Sequence, residues 1–279
     1  MRQAGPIGKD TGRRVVRQTI ALLVCFTVAG ALTPSPATAQ LRRPARPGAP
    51  RTGLPLRPLP PRPAPPRAPG QSSEADRLFR QQDLGLLEAP DRDQWQKPDQ
   101  IMDALAVAEG AVVAELGAGG GWFTLRLASR VGPNGLVYAE DIQPGMIEGI
   151  ARRMKAENLT NVKPILGTTT DPRLPPGLDA ALISDAFHEM DDPKEPSVIV
   201  TLLRNIGRSL KPQGRLGIVD WTRGAGGPGP PANKRADPDS IVKAAQAAGL
   251  VLISREEIPP FVYLLVFGRA PSGATRPDQ

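Results

Sequence analysis

The 279-residue chain has one cysteine, Cys25, and one histidine, His188. A Cys/His metal cluster is thereby excluded, because such sites take three or four ligands from those two residue types. Cys25 sits in an apolar run near the N-terminus, so a chain processed beyond that run has no thiol, no disulfide and no cysteine nucleophile. The run itself, residues 20–32, has only 13 residues, short of the ~20 that a membrane-spanning helix needs. Acidic residues are missing from a further stretch, residues 41–70, which carries eleven prolines and seven arginines. The glycine-rich turn at 117–121 has no Gly-Lys-Ser/Thr after it, which excludes a P-loop.

The totals of charge mislead until they are divided. The formal charge is +7 at neutral pH, yet twelve of the 35 basic residues and one of the 28 acids fall in residues 1–71. That leaves 23 basic and 27 acidic residues for 72–279, a mildly acidic remainder in which no nucleic-acid groove is expected. Arg13, Arg14 and Arg17, then the apolar run, then Ala37-Thr38-Ala39 make the three parts of a signal peptide, so residues 1–39 predict export to the periplasm or beyond, with cleavage after Ala39. Residues 40–71 predict an extended linker leaning to polyproline II, since proline at this density forms no helix or sheet interior and like charges repel. Its arginines suit envelope association through residues 41–70 by adhesion to anionic polymer or phospholipid. Residues 72–268 suit one α/β domain, and 269–279 a polar tail.

In that domain Val112 to Leu116 is a short apolar strand that meets Gly117-Ala118-Gly119-Gly120-Gly121, and Trp122 to Val131 follows at helical spacing. A strand, a glycine-dense turn and a helix make a nucleotide-binding corner. A dinucleotide fingerprint would place its third glycine where this chain has Trp122. The spacing is instead Glu115-x-Gly117-x-Gly119-x-Gly121, and the acid before the glycines suits a ligand that carries positive charge.

This arrangement resembles the first motif of the class I S-adenosylmethionine-dependent methyltransferases, and further landmarks follow in order over about 155 residues. The resemblance implies S-adenosyl-L-methionine as cofactor. It places Glu115, Gly117, Ala118, Gly119 and Gly121 around the methionine portion, Asp141 at the end of the second strand (Val137–Asp141) on the ribose, and Ile142 on the adenine. Val162 to Leu166 is the third strand, and Asp171 beyond it is carried over to the adenine amino group. Asp179 to Asp185 is the fourth strand, whose end faces the transferred methyl and carries Asp185 and His188, the candidate catalytic residues. Residues 210–216 resemble the family's turn into the fifth strand, which ends at Trp221. Residues 251–256 and 261–267 are too close for a crossover helix and should pair antiparallel. The expected fold is α/β: a Rossmann-like, seven-stranded, mostly parallel sheet with an antiparallel last strand and helices on both faces.

Helices are also predicted over 73–87, 98–105, 146–157, 197–209 and 239–248. Trp95 precedes the first strand, where the family often folds a lid, and it either closes the site or packs the next helix. Thr222 to Pro238 is either a lid bringing Lys234 and Arg235 to an anionic substrate or an insertion without a fixed fold. An imidazole titrates near neutrality, which makes His188 the better base and Asp185 the second. The chain lacks the Asn/Asp-Pro-Pro-Tyr/Phe signature of amino-methylating nucleic-acid and protein enzymes after its fourth strand, having Asp185-Ala186-Phe187-His188. Two functions are compatible with these residues: a methyltransferase acting on a small-molecule or envelope acceptor, similar in its motifs to quinone-biosynthesis-type enzymes, or a non-catalytic protein that binds an adenosyl ligand as sensor or scaffold.

Overall fold

A computed structural model describes residues 78–224 and 226–270. The predicted signal peptide and linker, the start of the helix predicted over 73–87 and residues 271–279 of the tail lie outside the described residues. Seven strands form one sheet: β1 (Val112–Leu116), β2 (Leu136–Asp141), β3 (Val162–Leu166), β4 (Leu178–Ser184), β5 (Leu210–Trp221), β6 (Leu250–Ile258) and β7 (Val262–Arg269). Their spatial order is β3-β2-β1-β4-β5-β7-β6. The pairs from β3 to β5 are parallel, and β7 runs antiparallel between β5 and β6. This is the expected Rossmann-like sheet with its reversed last strand.

Strand alternation divides the core into two layers. Val113, Val137, Leu182, Val219 and Leu264 face one side, where they meet α2 (Pro98–Ala104) and α3 (Trp122–Val131). Ala114, Ala181, Ile183, Ile218 and Leu265 face the other, against α6 (Pro196–Ser209) and α7 (Pro238–Ala247). The apolar spacing of each helix fits that duty. Ile199, Leu202, Leu203 and Ile206 of α6 form one buried stripe. Met146, Ile150 and Met154 do the same on α4 (Pro144–Ala156). Proline opens α2, α4, α6 and α7 at a position where its missing N–H breaks no helical bond.

Two short helices complete the order, α1 (Arg92–Gln96) and α5 (Phe187–Met190). Where a regular helix was expected over 73–87, the described part is a 3-10 helix over Gln81–Leu87. Gly85 in its centre and too few apolar positions for a buried stripe leave that segment to be held by contacts with the glycine turn. β5 also begins earlier than its apolar run suggests: Leu178 pairs with Leu210 and Ala180 with Arg215, so residues 211–214 bulge out of the ladder.

Candidate functional site

The carboxyl ends of β1, β2 and β4 open into one cleft, where an open α/β sheet binds its ligands. Its floor is Glu115 and the turn from Gly117 to Gly120, followed by Trp122 and Phe123. Gly117 has φ +67°, and a Cβ there would stand 2.8 Å from Ala186 Cβ and 3.0 Å from Met190 Cε, so only glycine lets the turn pass α5. One wall is Glu140 to Gln143 with Thr168 and Thr169; the other is Ser184 to Ala186 with Glu189, Met190 and Asp192.

Asp141 is fixed by the turn it faces. Its Oδ2 accepts the Gly119 N–H at 3.0 Å and its Oδ1 the Gln143 N–H at 2.9 Å. Burial raises its pKa against those hydrogen bonds. Glu115 is buried beneath the turn and accepts the Thr124 hydroxyl. Burial pushes it up to about 8, although Thr124 and the charge of Arg92 oppose the shift. Ile142 and Ala118 line the cleft. Gly121 caps α3 just outside the lining, with Ile150 and Met154 against it.

Asp171 is exposed, and its Oδ1 accepts the Arg173 N–H at 2.8 Å; Thr168 and Thr169 of the same loop line the cleft and Asp171 does not. Asp185 does reach the wall, but its carboxylate is engaged. Arg92 Nη2 donates to Oδ2 at 2.5 Å and Gln96 Nε2 to Oδ1 at 3.3 Å, so this acid is held in a buried pair. His188 does not line the cleft, whereas its neighbour Glu189 does. The His188 Nδ1 lies 3.1 Å from Asp220 Oδ1, and the His188 N–H donates to Asp220 Oδ2 at 3.0 Å. Its Nε2 is 3.8 Å from Glu189 Oε1. Burial alone would lower this imidazole, but the hydrogen bond and charge of Asp220, with Glu189 and Asp185, hold it above its ordinary value.

Sequence reasoning missed four residues that shape the site: Arg92, Glu140, Glu189 and Asp220. Asp220 and Glu140 carried a signal, each being an acid within the buried end of a strand. Segment 78–88 also escaped notice as a strap across the mouth. Phe79 N–H donates to Glu189 Oε2 at 2.8 Å, Gln143 Nε2 to Phe79 O at 3.0 Å, and Gln81 Nε2 to Gly145 O at 2.8 Å. Arg153 ties Glu88 to the Gly120 carbonyl, and Leu84 covers Gly119 and Gly120.

Two sequence expectations are settled by packing. Trp95 does not close the cleft: it is buried against Trp221, with ring centroids 5.2 Å apart, and against Phe261 at 6.0 Å. Arg235 does not await an anion. Its guanidinium is buried and donates to the carbonyls of Pro230, Thr222, Gly224 and Gly226, organising the loop after β5 from within.

The residues present fit an adenosyl-sulfonium cofactor. Asp141 offers acceptors at the end of β2 and Ile142 an apolar surface beside them. Eight carboxyl side chains line the cleft against one guanidinium, Arg92; with Glu115 and Glu140 holding their protons and Asp185 paired to Arg92, the remaining acids still favour a ligand with cationic sulfur and ammonium groups. Among the described residues no group of three or more His, Cys, Asp and Glu side chains is arranged to hold a metal ion.

Sheet order, glycine turn and acid-lined cleft together define a class I methyltransferase fold. Residues 113–214 match the family model described as a methyltransferase domain. The chain is 29% identical over 140 residues to nocamycin O-methyltransferase of Saccharothrix syringae, covering 49% of this chain and 44% of that protein. It is 27% identical over 126 residues to demethylmenaquinone methyltransferase of Geobacillus sp. strain WCH70, covering 45% of this chain and 51% of that one. The chain thus spans about half the length of the curated relatives it matches. Among solved structures it superposes on a SAM-dependent methyltransferase from Aquifex aeolicus with a TM-score of 0.62, at 24% identity, over 68% of this chain and 98% of that one. The domain therefore has the class I methyltransferase fold, and residues 113–214 within it are similar to the methyltransferase-domain family.

Proposed function

We propose that the protein transfers a methyl group from S-adenosylmethionine to a small-molecule acceptor held between Glu189, Met190 and α6. The observation that carries this reading is the continuity of one cleft from Asp141, across the glycine turn, to the end of β4 and on to α5. When bound, the cofactor supplies a methyl already activated on a cationic sulfur. The chain then needs chiefly to align donor and acceptor, which can supply most of the acceleration. The glycine turn seats the methionine portion, and Asp141 and Ile142 hold the nucleoside. Arg92 fixes Asp185 so that the wall beside the reacting centre does not move. An acceptor that must lose a proton finds Glu189 on the wall, with His188 Nε2 behind it at 3.8 Å and Asp220 orienting the ring.

The relatives named above act on small molecules by their names, which supports an acceptor of that size. Export directed by residues 1–39, with residues 41–70 bound to the envelope, belongs to the same proposal and rests on sequence alone. Calorimetry of the full chain with S-adenosylmethionine and S-adenosylhomocysteine tests the cofactor assignment. Binding of both is expected; binding of neither at millimolar concentration removes it. A non-catalytic adenosyl-binding role would show as binding without methyl transfer to any acceptor in extracts.

A further inference from the structure

Glu140 lines the cofactor cleft beside Asp141, and neither the sequence pattern nor the proposed reaction gives it a task. It sits on β2 in register with Leu116 on one side and Ile165 on the other, a position that an aliphatic side chain would fill. It is only 3% exposed. A carboxyl is seldom buried so deeply without a partner.

The surroundings are shaped to admit it. The residue after β3 is Gly167, and a Cβ there would stand 1.8 Å from Glu140 Oε1, so any side chain at 167 would displace this carboxyl. The Gly117 N–H, from the glycine turn, donates to it. The charged groups facing it are Asp141 on its own strand and Asp171 on the loop after β3, both acids. Burial first, and then these two charges, push Glu140 up to about 8, which leaves it a neutral carboxyl at pH 7.

A neutral carboxyl offers a hydroxyl donor and a carbonyl acceptor, whereas Asp141 already accepts a backbone N–H at each oxygen. A vicinal diol presents two hydroxyls, each able to donate and to accept. One acid fixed as acceptor beside another able to donate is complementary to that pair. We propose that Glu140 is a second diol-binding residue of the cofactor cleft, donating a hydrogen bond to the ribose beside Asp141. This rests on the assignment of an adenosyl cofactor made above. It follows that cofactor affinity falls on the alkaline side, as Glu140 loses the proton it donates.

The test is calorimetry of the full chain with S-adenosylhomocysteine and with its 2′,3′-dideoxy analogue, for the wild type, Glu140→Gln and Glu140→Ala. Titrations are run at about pH 6.5 and about pH 9, on either side of the ionisation. Glu140→Ala should bind the natural ligand about tenfold more weakly than wild type at the lower pH, the loss of one net hydrogen bond, and this penalty should vanish with the dideoxy analogue. Glu140→Gln keeps a donor and an acceptor. It should retain affinity at the lower pH and weaken less than the wild type on the alkaline side, since titration of Glu115 and of the ligand's own ammonium group is common to both proteins. A folded Glu140→Ala with wild-type affinity at the lower pH overturns the proposal. So does a Glu140→Gln profile that parallels the wild type, which decides the matter should the alanine variant not fold. A wild-type protein that binds neither S-adenosylmethionine nor S-adenosylhomocysteine overturns the cofactor assignment instead, and Glu140's role with it.

Discussion

Replacing Arg92 with methionine keeps most of the side chain's apolar length and removes its charge. Arg92 and Asp185 are 7% and 5% exposed, and their ion pair spans 2.5 Å between elements 93 residues apart in sequence. Taking away one partner of a buried pair leaves the other charge uncompensated, at a cost of about 3–5 kcal/mol. The guanidinium also lies 4.0 Å from the Trp122 ring centroid, a cation–π contact that adds about 1 kcal/mol. Asp185 can escape part of the penalty by protonating. Burial already raises its pKa against the pull of Arg92, so the loss should be smaller near pH 5 than near pH 8. In a domain of this size, about 1 kcal/mol moves Tm by about 2–4 °C, which sets the expected drop at about 10 °C or more. Calorimetric melting of wild type, Arg92→Met, Asp185→Asn and the double variant measures it. The double variant should fall short of the sum of the singles by about 2 kcal/mol, since neither partner is left charged and alone. Additive singles, or an Arg92→Met protein melting within about 2 °C of wild type, would refute the account of α1 as a helix held down through this pair.

Two further predictions concern the floor of the cleft. Burial pushes both Glu115 and Glu140 up to about 8, so between the ordinary 4.5 and about 8 the folded chain holds protons that the unfolded chain releases. Their contribution is full below the ordinary value and lost as pH rises through about 8; urea titrations of Glu115→Gln across that window should therefore show a shallower decline than wild type, and an unchanged slope contradicts the burial argument. Gly117→Ala would add a Cβ 2.8 Å from Ala186 Cβ at a backbone φ of +67°. It should cost about 1–2 kcal/mol in stability and at least about tenfold in S-adenosylhomocysteine affinity by calorimetry, and wild-type affinity would show that the turn does not seat the ligand.

The parts of the molecule legible in its sequence are those where backbone geometry or periodicity restricts residue choice. Gly117 and Gly119 take positive φ in the turn, the central strands β1 and β4 are short, largely apolar runs, and Asp141 ends β2 at the cleft. The hidden parts are pairings whose partners meet only after folding. Arg92 lies on a five-residue helix too short to show a pattern, and its partner is on β4. Asp220 stands behind His188 because of how β5 meets α5, which no spacing along the chain encodes. Asp171 carried the right residue type beyond β3, yet its loop turns the carboxylate back onto the Arg173 N–H. Arg235, in a run rich in glycine and proline, has the surroundings of a solvent-facing cation and none of the apolar neighbours that announce burial.

The burial of Arg235 changes what the segment from Thr222 to Pro238 is. A stretch with almost no apolar side chains has nothing of its own to collapse around, and here a single guanidinium takes the part of that interior, much as a bound ion does in a small metal-folded domain. Every acceptor it holds is a main-chain carbonyl. Exposed side chains such as Lys234 can vary without touching those bonds, whereas Gly227 and Gly229, which leave room for Phe261 and Trp221, cannot, and the loss of the one cation would free four carbonyls at once.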